Sequence, residues 1–247
     1  MGEIPRSEQP EGEQKQEYSF EWMKLIEPYM VSGVGKLKDL IEEGEYSALI
    51  SDDAGGRIPT LVMKRIIEER SSNKDIKTYF VGKIMLDEHI EKYRDKYEKT
   101  LDYFRKMDLG KDRTLVVSEF LSKGGAFAKI KKALKRSGKK VDLDFFTLST
   151  NPVAKLEKEN SDTINTNSYL FSGGGGQLNS KEFLDGVETW SEAEIIPTSV
   201  TKRMEREGKS DEEIAEIKEK IRLVREHDVP LMAQRVIEQV WEKEENK

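Results

Sequence analysis

Four short apolar runs alternate with helical patterns between Tyr46 and Leu148, and this alternation limits the fold more than any other feature of the chain. Tyr46–Ile50 reads as a buried strand. Pro59 then opens a helix to about Arg70, since proline is tolerated in a helix's first turn. Ile76–Ile84 is a second strand, centred on Tyr79, Phe80 and Val81. A long helix is predicted from about Asp87 to Lys106. Its stripe is Leu86, Ile90, Tyr93, Tyr97, Leu101 and Phe104, at steps of three and four. Arg113–Val117 is a third strand. Gly124 starts a helix to about Arg136, with Phe127, Ile130, Ala133 and Leu134 inward, and Val141–Leu148 is a fourth strand. Such a succession predicts an α/β fold, a mainly parallel sheet covered by helices.

The flanks read differently. Residues 1 to about 17 are rich in Glu, Gln, Pro and Gly and are expected to form a disordered acidic tail. Ser19–Tyr29 and Lys36–Glu43 read as two short helices, the second stopped by Gly44 in a left-handed conformation. Beyond Thr150 the pattern weakens. Ser168–Phe171 is a candidate fifth strand running into Gly173–Gly176, a run read as a loop. Ser210-Asp211-Glu212-Glu213 is a capping box that starts a charged helix to about Glu226. Asp228 and Pro230 start a last helix with Met232, Val236 and Val240 on one stripe. The expected division is a tail over 1–17, an α/β domain over 18–200 and a helical extension over 201–247. Within the domain, the core spans 45–150 and a helical insertion about 86–107.

Composition removes several classes of chemistry. With no cysteine, the chain has no disulfide, thiolate nucleophile, zinc knuckle or iron–sulfur ligand. His89 and His227 have no partner at ligand spacing, which disfavours a zinc site or a Ser-His-Asp triad. No apolar stretch approaches the roughly 20 residues that cross a bilayer, and the start lacks signal-peptide features, so a cytoplasmic protein without a membrane partner is expected. The net charge of −6 gives no overall attraction to nucleic acid. One helix does carry Lys129, Lys131, Lys132, Lys135, Arg136, Lys139 and Lys140, but without interleaved aromatics. It reads as a solvated face, since cations are favoured toward a helix's C-terminus. Gly33-Val34-Gly35-Lys36 lacks the spacing of a P-loop.

Two strand-to-helix connections carry candidate chemistry. The first is Ser118-Glu119-Phe120-Leu121-Ser122-Lys123-Gly124-Gly125-Ala126. Here an apolar strand ends in polar residues, and paired glycines lead directly into an amphipathic helix. Glycines let backbone N–H groups approach a phosphate closely. The helix start adds unsatisfied donors and a positive dipole end. Ser122 and Lys123 can add a hydroxyl and a charge. The second connection is Ser51-Asp52-Asp53-Ala54-Gly55-Gly56-Arg57. Its arginine offers a planar fork suited to a diphosphate. Asp52 and Asp53 could hold magnesium, or remain solvated loop acids.

Together these segments resemble the type I phosphoribosyltransferases over roughly residues 45–150. The first is similar to the loop that holds the ribose 5-phosphate of phosphoribosyl pyrophosphate (PRPP). Glu119 stands at the second of its two acids, and Ser122, Lys123, Gly124 and Gly125 at its phosphate-binding positions. Ser118 replaces the first acid and Ala126 the closing threonine. The second segment is similar to the family's pyrophosphate loop, with Gly55, Gly56 and Arg57 matching. The resemblance implies a Rossmann-like, three-layer phosphoribosyltransferase-like fold with about five strands. It implies PRPP or a nucleotide as ligand and Glu119 as the ribose-holding, catalytic acid. It implies Mg2+ if the chain is active, and pentosyl transfer to a nitrogen nucleophile. The substitutions at Ser118 and Ala126 keep a second reading open, a catalytically inactive sensor or regulatory protein. A homodimer, or a protein partner bound through the charged helices, is compatible with either.

Overall fold

The computed structural model describes residues 16–51, 56–81, 84, 86, 94–121, 125–150, 170–175, 208 and 210–242. Its centre is a five-stranded sheet in the order β2-β1-β3-β4-β5, every neighbouring pair parallel. The strands are β1 (Tyr46–Ser51), β2 (Lys77–Phe80), β3 (Arg113–Leu121), β4 (Leu143–Thr150) and β5 (Leu170–Gly175). Every residue of β1 is buried, as expected for a parallel strand covered on both faces. The expected fold class is therefore observed: a parallel sheet between two helical layers, with a helical C-terminal region.

Strand alternation divides the core. Leu49, Leu115, Val117, Phe146 and Leu148 face one layer. That layer is built by α1 (Glu21–Glu42), α2 (Arg57–Arg70) and α6 (Val229–Ile237). Ala48, Ile50, Val116 and Phe145 face the other. There α3 (Arg94–Lys106) contributes Phe104, and α4 (Gly125–Arg136) contributes Phe127, Ile130, Ala133 and Leu134.

Several element boundaries differ from the sequence expectation. The two predicted N-terminal helices are one helix, α1, running through Pro28 and the Gly33–Gly35 segment. Met23, Ile26, Met30, Val34, Leu37 and Ile41 are all buried at steps of three and four, and this unbroken stripe overrides the glycines' low propensity. The fifth strand extends through the glycines to Gly175. The predicted break at Asp228 is absent. Instead α5 (Asp211–Leu223) passes through a π-helical turn at Val224–Asp228 into α6, and a second π turn follows at Glu238–Glu242. The wider turn lies directly before Pro230, which has no N–H to continue the α-helical ladder. Residues 1–15 and 87–93, and with them the tail and the start of the long predicted helix, lie outside the described residues.

Other local signals hold. Gly44 adopts φ 76° after α1, and Gly138 φ 79° after α4. Ser210 and Glu213 form the reciprocal capping box: the Glu213 amide donates to Ser210 Oγ (3.2 Å) and the Ser210 amide to Glu213 Oε2 (2.9 Å).

Candidate functional site

The chain runs from β1 to β2 on one side of the sheet and then returns to place β3 on the other side of β1. Strand order therefore reverses between β1 and β3, the position where ligands bind in open α/β sheets, outside the carboxyl ends of the strands. Ser51, the last residue of β1, pairs with Val117 of β3. The two candidate connections thus leave neighbouring strands at the same end of the sheet.

On the β1 side, Gly56 caps α2 and Arg57 is its first residue. The Gly56 carbonyl accepts from the Thr60 amide (2.9 Å) and from Thr60 Oγ1 (2.6 Å), which fixes the turn. Arg57 is only 7% exposed, so it is not the solvated surface arginine that a loop position would suggest. Its guanidinium carbon lies 4.4 Å from the ring centroid of Phe80, the last residue of β2. Such stacking suits the flat, weakly hydrated guanidinium and fixes its plane. Phe80 is held in turn: Tyr103 of α3 donates its hydroxyl to the Phe80 carbonyl (3.0 Å), and the Val81 amide donates to the Ser51 carbonyl (3.0 Å). Gly55, Asp52 and Asp53 lie outside the described residues.

On the β3 side the predicted loop is shorter than expected. Ser118 to Leu121 continue the strand, with Ser118 opposite Thr147, Phe120 opposite Ser149 and Leu121 opposite Thr150. The ladder extends because β4 also runs on to Thr150 and supplies partners beyond Val117. Ser118 is therefore a sheet residue, 2% exposed, and by alternation it shares the face of Val116. Glu119 is placed as a backbone position in β3. Ser122, Lys123 and Gly124 lie outside the described residues, and α4 begins directly after them at Gly125. A Cβ added to Gly125 would meet nothing within 4 Å, so packing does not require glycine there. Ala126 is exposed on the first turn of α4.

Phe80 and Tyr103 were not legible as site residues. Only the fold brings the Phe80 ring over Arg57 and the Tyr103 hydroxyl to the Phe80 carbonyl. The register also lines up Ser118, Thr147 and Ser172 across β3, β4 and β5. Among the described residues, no group of three or more His, Asp or Glu converges where a metal ion could sit.

The strongest electrostatic perturbations lie elsewhere. At the amino-terminal end of the sheet, Arg113 grips the buried Asp144 carboxylate with Nε (2.8 Å) and Nη2 (2.7 Å), and Tyr46 donates its hydroxyl to the same group (3.0 Å). Burial, then the Asp144 charge, push the Tyr46 phenol above its usual value, while the hydrogen bond to Asp144 raises Arg113. Between α1 and α6, burial and the Glu27 carboxylate likewise raise the Tyr18 phenol. These are structural ties, remote from the switch point.

No protein-family model matches the sequence, and no curated protein matches it. Two solved structures are similar in outline. A purine phosphoribosyltransferase from Pyrococcus horikoshii is 15% identical, with a TM-score of 0.38 over 65% of this chain and 90% of that one. A hypothetical protein from Neisseria gonorrhoeae with bound ppGpp is 18% identical, with a TM-score of 0.41 over 70% of this chain and 96% of that one. Both likenesses are remote, and neither carries an assignment of activity to this chain.

Proposed function

We propose that the chain binds a ribose phosphate, PRPP or a nucleotide, at the switch point between β1 and β3. One observation carries this reading. A buried arginine stands at the first turn of α2, beside the very strand whose neighbour leads into the glycine-rich start of α4. A diphosphate would take the Arg57 fork, and a terminal monophosphate the amides at Ser122–Gly125. Gly125 supports the second contact: glycine lowers helix propensity there without any packing need, whereas close approach of a phosphate would need it. Glu119 would hold the ribose hydroxyls. Magnesium would neutralise the diphosphate, with Asp52, Asp53 and Glu119 as its candidate carboxylates.

If the chain is a transferase, its contribution is positioning and charge stabilisation as the diphosphate leaves. A specific observation favours the second reading, a sensor without catalysis. Ser118 stands where the resembling family has an acid, and its side chain is covered within the sheet. That position cannot contribute a carboxylate to ribose or metal.

Thermal unfolding with PRPP and magnesium, nucleoside monophosphates and ppGpp tests the reading. Binding at a hundred times Kd should add about 2.7 kcal/mol. Arg57→Lys should weaken PRPP more than a monophosphate, because it keeps the charge and loses the fork. No stabilisation by any of these ligands refutes the proposal. Pyrophosphate release on adding nucleobases then separates transferase from sensor.

A further inference from the structure

The short strand β2 lies at the edge of the sheet, with β1 as its ladder partner. Two tyrosine hydroxyls tie it to α3 in opposite directions. Tyr79 of β2 donates to the Asp108 carbonyl (2.9 Å) and accepts from the Asp108 amide (2.7 Å), just past the end of α3. Tyr103 of α3 donates to the Phe80 carbonyl (3.0 Å). Because the Val81 amide bonds to β1, alternation along the strand turns the Phe80 carbonyl away from β1. Tyr103 thus holds a carbonyl that the β1 ladder does not use.

The side chains of β2 alternate as well. Tyr79 and Val81 pack with Phe104, Phe127 and Ile130 on the α3 and α4 side. Phe80 faces the other layer. Among the described residues it joins neither apolar cluster, and its ring lies against the Arg57 guanidinium instead. A half-buried aromatic ring placed on a cation rather than in the core points to a task for that cation. The contacts form one path across the edge of the sheet: from Tyr103 in one layer, through the Phe80 backbone and ring, to Arg57 in the other. A stacked guanidinium keeps its N–H donors in the plane of the fork, at its edge. Two adjoining phosphates need that edge aimed at them. A lone monophosphate held by the backbone amides before α4 does not.

We propose that Phe80 and Tyr103 are positioning residues that aim Arg57 at a diphosphate, and so set the preference of the site for diphosphate over monophosphate ligands. Tyr103 acts only through Phe80. This proposal rests on the ribose-phosphate reading of the switch point.

Isothermal titration calorimetry of the full chain with magnesium, against PRPP and against ribose 5-phosphate, tests it. Phe80→Leu should weaken PRPP about tenfold, the scale of a desolvated cation–π contact, and leave ribose 5-phosphate unchanged. Phe80→Tyr keeps a ring and should restore the parent's ratio of the two affinities. Tyr103→Phe removes one hydroxyl from an exposed side chain, so the core is untouched, and should weaken PRPP about threefold. Added to Phe80→Leu, Tyr103→Phe should cost nothing further, since the ring it steadies is gone. A parent that binds neither ligand overturns the ribose-phosphate reading itself, and this proposal with it. A parent that binds PRPP, with an unchanged affinity ratio in Phe80→Leu, overturns the positioning role alone. Equal weakening of both ligands does the same, as it would report general loosening. Additive losses in the double variant would remove Tyr103 from the path.

Discussion

Replacing Asp144 by alanine tests how the sheet is held at the end away from the candidate site. Asp144 is fully buried and accepts two hydrogen bonds from Arg113 and one from Tyr46. Its carboxylate therefore joins the starts of β1, β3 and β4. Removing one member of a buried pair costs about 3–5 kcal/mol, because the other charge stays uncompensated. The Arg113 side chain is 20% exposed, so water can reach part of its fork and the lower end, about 3 kcal/mol, applies. Tyr46, 1% exposed, is left with a buried hydroxyl lacking its acceptor, worth about 1 kcal/mol more. The sum is about 4 kcal/mol, an upper value because all three bonds share one carboxylate. For a domain of this size it corresponds to a fall in Tm of about 8–16 °C. Urea unfolding followed by circular dichroism measures the loss directly. The double variant Asp144→Leu/Arg113→Met should recover most of it, since apolar replacement of a whole buried pair is often neutral. A loss below about 1 kcal/mol for Asp144→Ala would refute the reasoning.

Two further outcomes follow from the same structure. The Tyr46 phenol is raised above the ordinary tyrosine value of about 10, so above that pH the unfolded chain releases this proton while the folded chain keeps it. The folded state then binds more protons, and stability falls as pH rises, by about 1.4 kcal/mol per pH unit from this residue. Tyr46→Phe should remove that contribution; parallel stability curves for variant and parent above pH 10 would contradict it. Gly138→Ala should cost about 1 kcal/mol, from left-handed strain alone, since its Cβ would enter open space. Gly44→Ala should cost clearly more, because its Cβ would also press on Ser72 Oγ and approach the Asn73 amide nitrogen to 3.0 Å. Equal losses in denaturant titrations of the two variants would show that the clash relaxes away.

Periodicity made the sheet and its flanking helices legible, because β1, β3, β4, α2 and α4 each bury a face whose pattern is local. The glycine-containing stretch of α1 was not legible as helix, since its continuity depends on a stripe that only the sheet and α6 make worth burying. Pro230 reads as a helix start in any sequence; the π turn that absorbs it is a property of the assembled layer. The candidate site divides in the same way. The glycine-rich connections follow from local composition, but the burial of Arg57 depends on Phe80, which arrives from another strand. Asp144 and Asp228 look like surface acids until partners far along the chain reach them, Tyr46 in the first case and Ser19 in the second.

The second of those contacts bears on the order in which the chain can be completed. Asp228, fully buried, accepts from the Ser19 amide (2.8 Å) and the Phe20 amide (3.2 Å) at the entrance to α1, and from His227. Met232, Val236 and Trp241 close the same layer over Met23, Met30 and Val34. During synthesis, α1 leaves the ribosome early, yet its apolar stripe has no complete cover until the last helix follows. A nascent chain carrying all five strands would still present the part of that stripe that α6 covers, a surface suited to a chaperone. Truncation before Val229 should therefore leave a sheet that aggregates rather than a smaller stable domain.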